Sequence, residues 1–299
     1  MVEEVAGKKI KKSVGSQIFD VVNIIFLAGV AFICMAPFLF VISASLSPLG
    51  DVLSRKFFIY PKHIDLSSYQ YLFSSNTLVN AMGNSFVITV VGTTLSMSVT
   101  VMTAYVLSKP QLLGRKVLNA LVVFTMLFSG GMIPSYLVTS SLHLNDTWWA
   151  LWLPGCVSAY NMILIRTSIS ALPSELEEAA VMDGCNYFQS FVRIVLPLIK
   201  PTLATFSLFY AVGYWNDYFN SVLYINDSTK YPIQIWLRNI VMLSAGGFAD
   251  TTSVSDLGYV PPQNISYAVI VFATMPILCI YPFVQRFFTK GMMVGSVKG

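Results

Sequence analysis

The sequence predicts an all-α membrane protein with six transmembrane helices, and three observations predict it. Charged side chains make up 11% of the 299 residues and apolar ones 55%, whereas an average soluble domain is roughly 25% charged. Six apolar stretches, at about 21–46, 86–108, 117–139, 148–169, 198–223 and 267–288, each approach or exceed the ~20 residues that a helix needs to cross hydrocarbon. None alternates like a barrel strand, and a backbone in hydrocarbon must satisfy its own hydrogen bonds, so helices are expected.

The N-terminal segment, 1–20, carries Lys8, Lys9, Lys11 and Lys12 and reads as a cytoplasmic flank. A secretory signal is the alternative, but the apolar run that follows outlasts the roughly 7–15 residues of a signal core. With this end inside, 13 of the 18 Lys and Arg residues fall on the cytoplasmic side, among them Lys109, Arg115, Lys116, Arg193 and Lys200. The positive-inside rule therefore places both termini in the cytoplasm, including the tail 291–299. The body between, 21–290, is expected to be a single transmembrane domain without an inserted catalytic unit.

After the first span comes an outer loop, about 47–83, and then the second span, ending in AYVLSK. The third span contains Gly130, Gly131 and Pro134, which suit either a kink or close helix packing. In the fourth, Tyr160 and Asn161 lie mid-membrane and either line a pathway or bond a neighbouring helix, while Arg166 marks the cytoplasmic end. The fifth span ends outside in YWNDYFN: Trp215, Asn216, Asp217, Tyr218 and Asn220 could stack on and bond a polar solute or form an outer gate. Aromatic rings also anchor helices at membrane interfaces. Asp217 is the strongest functional candidate of the set, because a carboxylate at that depth needs a partner or water. A long outer loop, 224–266, precedes the sixth span.

Chemistry is sparse. His63 and His143 are the only histidines, the four cysteines (Cys34, Cys156, Cys185, Cys279) form no C-x-x-C pair, and there is no phosphate-loop or metalloprotease motif. No catalytic residue, metal site, bound cofactor or nucleic-acid partner is expected, and an ATPase serving this chain would be another chain.

The connector 170–197 between the fourth and fifth spans holds SELEEAAVMDG, with Glu175, Glu177, Glu178 and Asp183 together. Ser174 with Glu177 three positions on suits a helix start, Gly184 suits its left-handed end, and Asn186 can open a second short helix. Ala179 and Ala180 give the first helix a face without bulk beside the Glu178 carboxylate. The bland alternative is an interfacial helix whose acids merely stay in water.

Glu178-Ala179-Ala180, Gly184, Ile194 and Leu196-Pro197 stand at the spacing of a known signature. The chain resembles the permease subunits of ATP-binding-cassette (ABC) importers, in particular the MalG-like carbohydrate-uptake permeases. YPKHIDLSSYQYLF, AYVLSK, FSGGMIPSYL and YWNDYF extend that resemblance over nearly the whole chain, and SGGMIPSYL and YPIQIWLR look closest to Gram-positive oligosaccharide permeases. The resemblance implies a type I importer permease fold in a bacterial cytoplasmic membrane, with Glu177, Glu178, Ala179, Ala180, Asp183 and Gly184 on a coupling helix that docks on an ATPase. It also implies a second, homologous permease as heterodimer partner, two ATPases that bind ATP and Mg, an extracytoplasmic sugar-binding lipoprotein and an oligosaccharide substrate. Alternatives are an importer permease for a non-sugar solute, an ion-coupled secondary transporter, or a receptor or scaffold.

Overall fold

The computed structural model describes residues 14–54, 57–246 and 263–295, and those residues contain helices and no strand. Most of segment 1–20, the end of the tail 291–299 and the middle of loop 224–266 lie outside them.

Helix α1 (Val14–Ser45) begins ahead of the first apolar stretch. Its large apolar residues from Ile18 to Met35 are exposed, as suits a helix facing lipid. Its last turns meet the rest of the protein, where Phe40 packs edge-on to Tyr267 and Phe58 and stacks on Phe57. The short helices α2 (Leu49–Ser54) and α3 (Ser67–Ser74) occupy the following loop.

Helix α4 (Asn76–Ser108) is the centre of the fold, and its 33 residues rise about 50 Å. It starts ten residues before the expected second span because Asn80, Asn84 and Ser85 lower the hydropathy without interrupting the helix. Asn84 instead donates to the carbonyls of Thr229 and Tyr231 at 2.8 and 3.1 Å, and Ser85 Oγ accepts from the Ile233 amide at 2.8 Å. The helix ends at Lys109, which is extended because Pro110 follows it.

The expected third span is two helices, α5 (Arg115–Leu127) and α6 (Met132–Ser141), bent by 115°. The residues that suit either a kink or close packing thus mark a full break. Gly131 supplies it with a φ of 88°, and Pro134 sits in the first turn of α6, where its missing amide costs no helical bond. The expected fourth span, 148–169, is also discontinuous: α7 (Trp149–Trp152) stops before Pro154-Gly155, and α8 (Ala159–Ser170) restarts under the cap Ser158, whose Oγ accepts from the Asn161 amide at 3.4 Å.

Helices α9 (Ser174–Met182) and α10 (Tyr187–Ser190) form the connector, followed by a π-helical turn (Phe191–Val195) and α11 (Leu196–Leu198). The chain then bends by 83° into α12 (Lys200–Trp215). Helix α13 (Phe219–Tyr224), a 3-10 turn (Ser228–Lys230) and α14 (Ile233–Ser244) follow, and the last described helix is α15 (Gln263–Gly295). Among the described residues three helices are long and apolar enough to cross a membrane unbroken, in α1, α4 and α15, and up to five are if each bent pair counts once.

Helix α4 packs most extensively against α12 and α8, and it approaches α12 and α7 most closely at Gly92. A Cβ on Gly92 would stand 2.9 Å from both Trp152 and the Tyr214 ring, so this approach needs glycine. Tyr214 and Tyr210 place their hydroxyls 2.8 Å from Ser96 and Thr100 of α4, and Trp152 donates to the Ile88 carbonyl at 3.1 Å. Polar groups buried between helices are thereby partnered.

Gly92→Val should therefore force this contact apart and cost about 1–3 kcal/mol, read as a lower thermal midpoint of the detergent-solubilised protein. Gly83→Ala, on the same helix but facing open space, should leave the midpoint in place or raise it.

Candidate functional site

The connector is built as a knob with both ends fixed. Pro173 is its N-cap residue and Ser174 its first helical residue, so Ser174 does not cap. Nor does Glu177 reach back: its carboxylate pairs with Lys109 at the end of α4. Glu175 and Glu177 still lie in the first turn, where the helix dipole favours them. At the other end Gly184 has a φ of 82°, its amide bonds the Val181 carbonyl at 3.0 Å and the Cys185 amide bonds that of Ala180 at 2.9 Å. These are the paired bonds of a Schellman stop, which requires the left-handed residue that only glycine adopts cheaply.

Asn186 and Gln189 then cap each other, with the Gln189 amide 2.8 Å from Asn186 Oδ1 and the Asn186 amide 3.0 Å from Gln189 Oε1. This reciprocal box starts the second short helix. Phe191 and Val195 beyond it are buried among residues of α4, α8 and α12, which roots the knob in the helix packing.

Of the two alanines, Ala180 is buried and Ala179 exposed. Glu178 and Asp183 are exposed too. Sequence reasoning missed the apolar side chains around them: Leu176, Val181, Met182, Tyr187 and Phe188 are all open, Met182 at 87%. The exposed Met182, Tyr187 and Phe188 are of the residue types that protein interfaces favour. Their signal was present in the sequence as apolar residues flanking an acidic turn.

The second region is a cavity of about 550 Å³ between the α5–α6 break, the α7–α8 break, α12 and α13. Asn161, Asp217 and Asn220 line it, with Tyr210, Tyr214 and Ser135. Asp217 accepts from the amide and the side-chain nitrogen of Asn220 at 3.1–3.2 Å. The other expected pathway residues go elsewhere. Trp215 is buried, donates to the Ala273 carbonyl at 3.1 Å and meets Phe86 edge-on, so it packs helices together. Asn216 bonds the Val212 carbonyl at 3.0 Å and Gln234 at 3.4 Å, Arg238 lies 4.4 Å over the Tyr218 ring, and Tyr160 is exposed outside the cavity lining.

A clamp of charges closes the loops beside this cavity. Asp146, at a φ of 59°, accepts from the amides of Asp227 and Asn226 at 3.0 and 3.1 Å, and Lys230 sits 3.1 Å from Asp146 and 3.4 Å from Asp227. The Asp227 amide, more than Lys230, holds the Asp146 carboxyl below its ordinary value. The Thr229 hydroxyl does the same for Asp227, and Asp146 holds the Lys230 ammonium above its own.

Residues 6–294 match the family described as binding-protein-dependent transport system inner membrane components. The protein LplC of Bacillus subtilis is 51% identical over 95% of this chain and 96% of its own length. The polygalacturonan/rhamnogalacturonan transport system permease YtcP, from the same organism, is 47% identical over 95% and 99%. Among solved structures, a chain of a bacterial ABC transporter involved in import of the acidic polysaccharide alginate superposes with a TM-score of 0.84 at 31% identity, covering 94% of this chain and all of that one.

The clamp sets a pH window. The carboxylate contribution is complete above the ordinary value of 3.8 and lost as pH falls through the depressed folded values. The Lys230 contribution is complete below 10.5 and lost as pH rises through its raised value. Hydrogen exchange in 144–148 and 224–231 should stay protected between these limits and rise outside them, whereas Asp146→Asn should expose both segments already at pH 7.

Proposed function

The chain belongs to the inner membrane components of binding-protein-dependent transport systems, and from that premise we propose how it works as the permease subunit of an ATP-driven oligosaccharide importer. It is a transport protein rather than an enzyme. One relative is a polygalacturonan/rhamnogalacturonan transport system permease and the structural neighbour belongs to a transporter that imports the polysaccharide alginate, which favours a sugar over another solute or an ion-coupled mechanism.

In this reading the body, 21–290, is one permease domain that crosses the membrane six times, with the discontinuous pairs α5–α6 and α7–α8 each serving as one passage. Both termini and the knob lie in the cytoplasm, as the distribution of Lys and Arg argues. The described ends of the loop 224–266, 224–246 and 263–266, are on the outer side in this reading, the side on which the loaded binding protein docks.

The knob is the observation that carries the mechanism. An element that receives force must be stiff, and the Gly184 stop of α9 together with the Asn186–Gln189 box of α10 stiffens the turn of the knob. Glu177, Glu178, Ala179, Ala180, Asp183 and Gly184 then form the coupling helix seated on a partner ATPase, which binds ATP and Mg. Closure of two such ATPases draws together this knob and its counterpart on a second, homologous permease, and the pathway opens outward. Asn161, Asp217 and Asn220 offer hydroxyl-binding groups to the passing sugar, while Trp215, Asn216, Tyr218 and Tyr160 hold the surrounding helices or face the partner and lipid.

Gly184→Pro tests the knob. Proline cannot adopt the left-handed conformation, whose strain is roughly 1–2 kcal/mol even for ordinary residues. Co-purification with the ATPase and cellular uptake of a panel of labelled neutral and uronate oligosaccharides should both fall about tenfold or more. Glu178→Lys should weaken ATPase capture in the same assay; unchanged capture and uptake in both variants would remove the coupling assignment.

A further inference from the structure

The structure assigns Lys109 a task that the coupling signature does not include: we propose that the Lys109–Glu177 ion pair is the strut through which movement of the knob reaches α4 and thence the cavity. The inference rests on the reading of α9 as the coupling helix.

Three observations converge on this pair. First, α9 is loosely held. Ala180 is its one buried residue, and a cavity of about 890 Å³ separates α9 from the α4–α5 turn. Lys109, Gln111 and Arg115 line that space on one side, and Ser174, Glu177 and Val181 on the other. Among the described residues, Lys109–Glu177 is the ion pair that joins α9 to another helix.

Second, the pair is sheltered. The side chains are 17% and 28% exposed, and the Lys109 ammonium stands 4.1 Å over the Tyr105 ring. Coulomb attraction there is stronger than between fully solvated charges. The Tyr105 hydroxyl also donates to the Tyr187 carbonyl at 3.2 Å, just past the knob's turn, and its ring contacts Phe191. The end of α4 therefore grips both halves of the connector, by charge on α9 and by a hydroxyl on α10.

Third, α4 leads from the strut to the cavity without a break. Thr100 and Ser96, about 14 and 20 Å up the helix from Lys109, bond Tyr210 and Tyr214, and both rings line the cavity. Tyr210 also accepts from the Ser158 amide at 2.9 Å, at the cap of α8. A push on Glu177 thus acts on a rigid helix that carries two cavity walls. Lys109 is a positioning residue in this scheme and touches neither nucleotide nor sugar.

The test reads the cavity directly and needs no knowledge of the sugar. In the transporter co-purified with its ATPases and binding protein and placed in liposomes, the four native cysteines are replaced by alanine and Ser135 by cysteine. The rate of labelling with a membrane-impermeant maleimide is then compared with and without ATP plus vanadate. The ATP-dependent change in rate should fall about 5-fold or more in Lys109→Glu and in Glu177→Lys, and the reversed pair carrying both substitutions should recover it. Lys109→Gln, which leaves no like-charge repulsion, should lie between parent and Lys109→Glu. Recovery in the reversed pair separates a strut from a general packing defect, which a second substitution would deepen. A full response in the single variants, or a reversed pair as unresponsive as they are, overturns the strut while leaving the importer reading intact. A parent protein whose Ser135→Cys labelling ignores ATP overturns that reading, and the strut with it.

Discussion

The close contact of α4 with α12 and α7 is the interaction on which the rest of this structure depends. Helices in lipid gain nothing from hiding apolar side chains from one another, since the surrounding tails are equally apolar, and must associate through close fit and buried polar bonds. Gly92 supplies the fit by leaving room for Trp152 and Tyr214, and the pairs Ser96–Tyr214 and Thr100–Tyr210 supply the bonds. Those same tyrosines form one side of the cavity. Helix packing and the cavity wall therefore share their side chains, and a change in one is felt in the other.

The breaks in α5–α6 and α7–α8 are the counterpart of that rigidity. Irregular backbone at membrane depth is tolerated where it borders a cavity or is buried in protein. Gly131 at one break and Pro154, Gly155 and Ser158 at the other all line the same cavity. Backbone groups at these breaks bond side chains in place of a helical ladder: the Gly131 amide donates to Ser129 Oγ and the Ser158 amide to the Tyr210 hydroxyl.

Hydropathy made the helical class and the placement of apolar stretches legible, because a bilayer imposes a length and a composition that few other environments do. It did not reveal the breaks, since proline and glycine in an apolar run are compatible with kink, pack and stop alike. It placed the start of α4 too late because Asn84 and Ser85 are polar for reasons of loop attachment, not of helix termination. The knob was the most legible feature: Gly184 and Asn186 act as their residue types suggest. The partner of Glu177 was hidden, because Lys109 is 68 residues away in sequence and no local pattern links them.

The outer motif YWNDYFN shows why a contiguous string of promising residues rarely makes a site. Neighbours on a helix point about 100° apart, so residues three or four apart share a face and adjacent ones do not. Tyr210 and Tyr214, four apart on α12, line the cavity, and after that helix ends at Trp215 the turn into α13 brings Asp217 and Asn220 to the same wall. Trp215 points instead to α15, Asn216 to Gln234 and Tyr218 to Arg238. The motif is therefore two structures overlaid: a polar stripe directed inward, and a set of aromatic and amide groups that fasten α12 to the helices behind it. The stripe faces the cavity only because the fasteners hold its angle, which explains how both kinds of residue come to lie side by side.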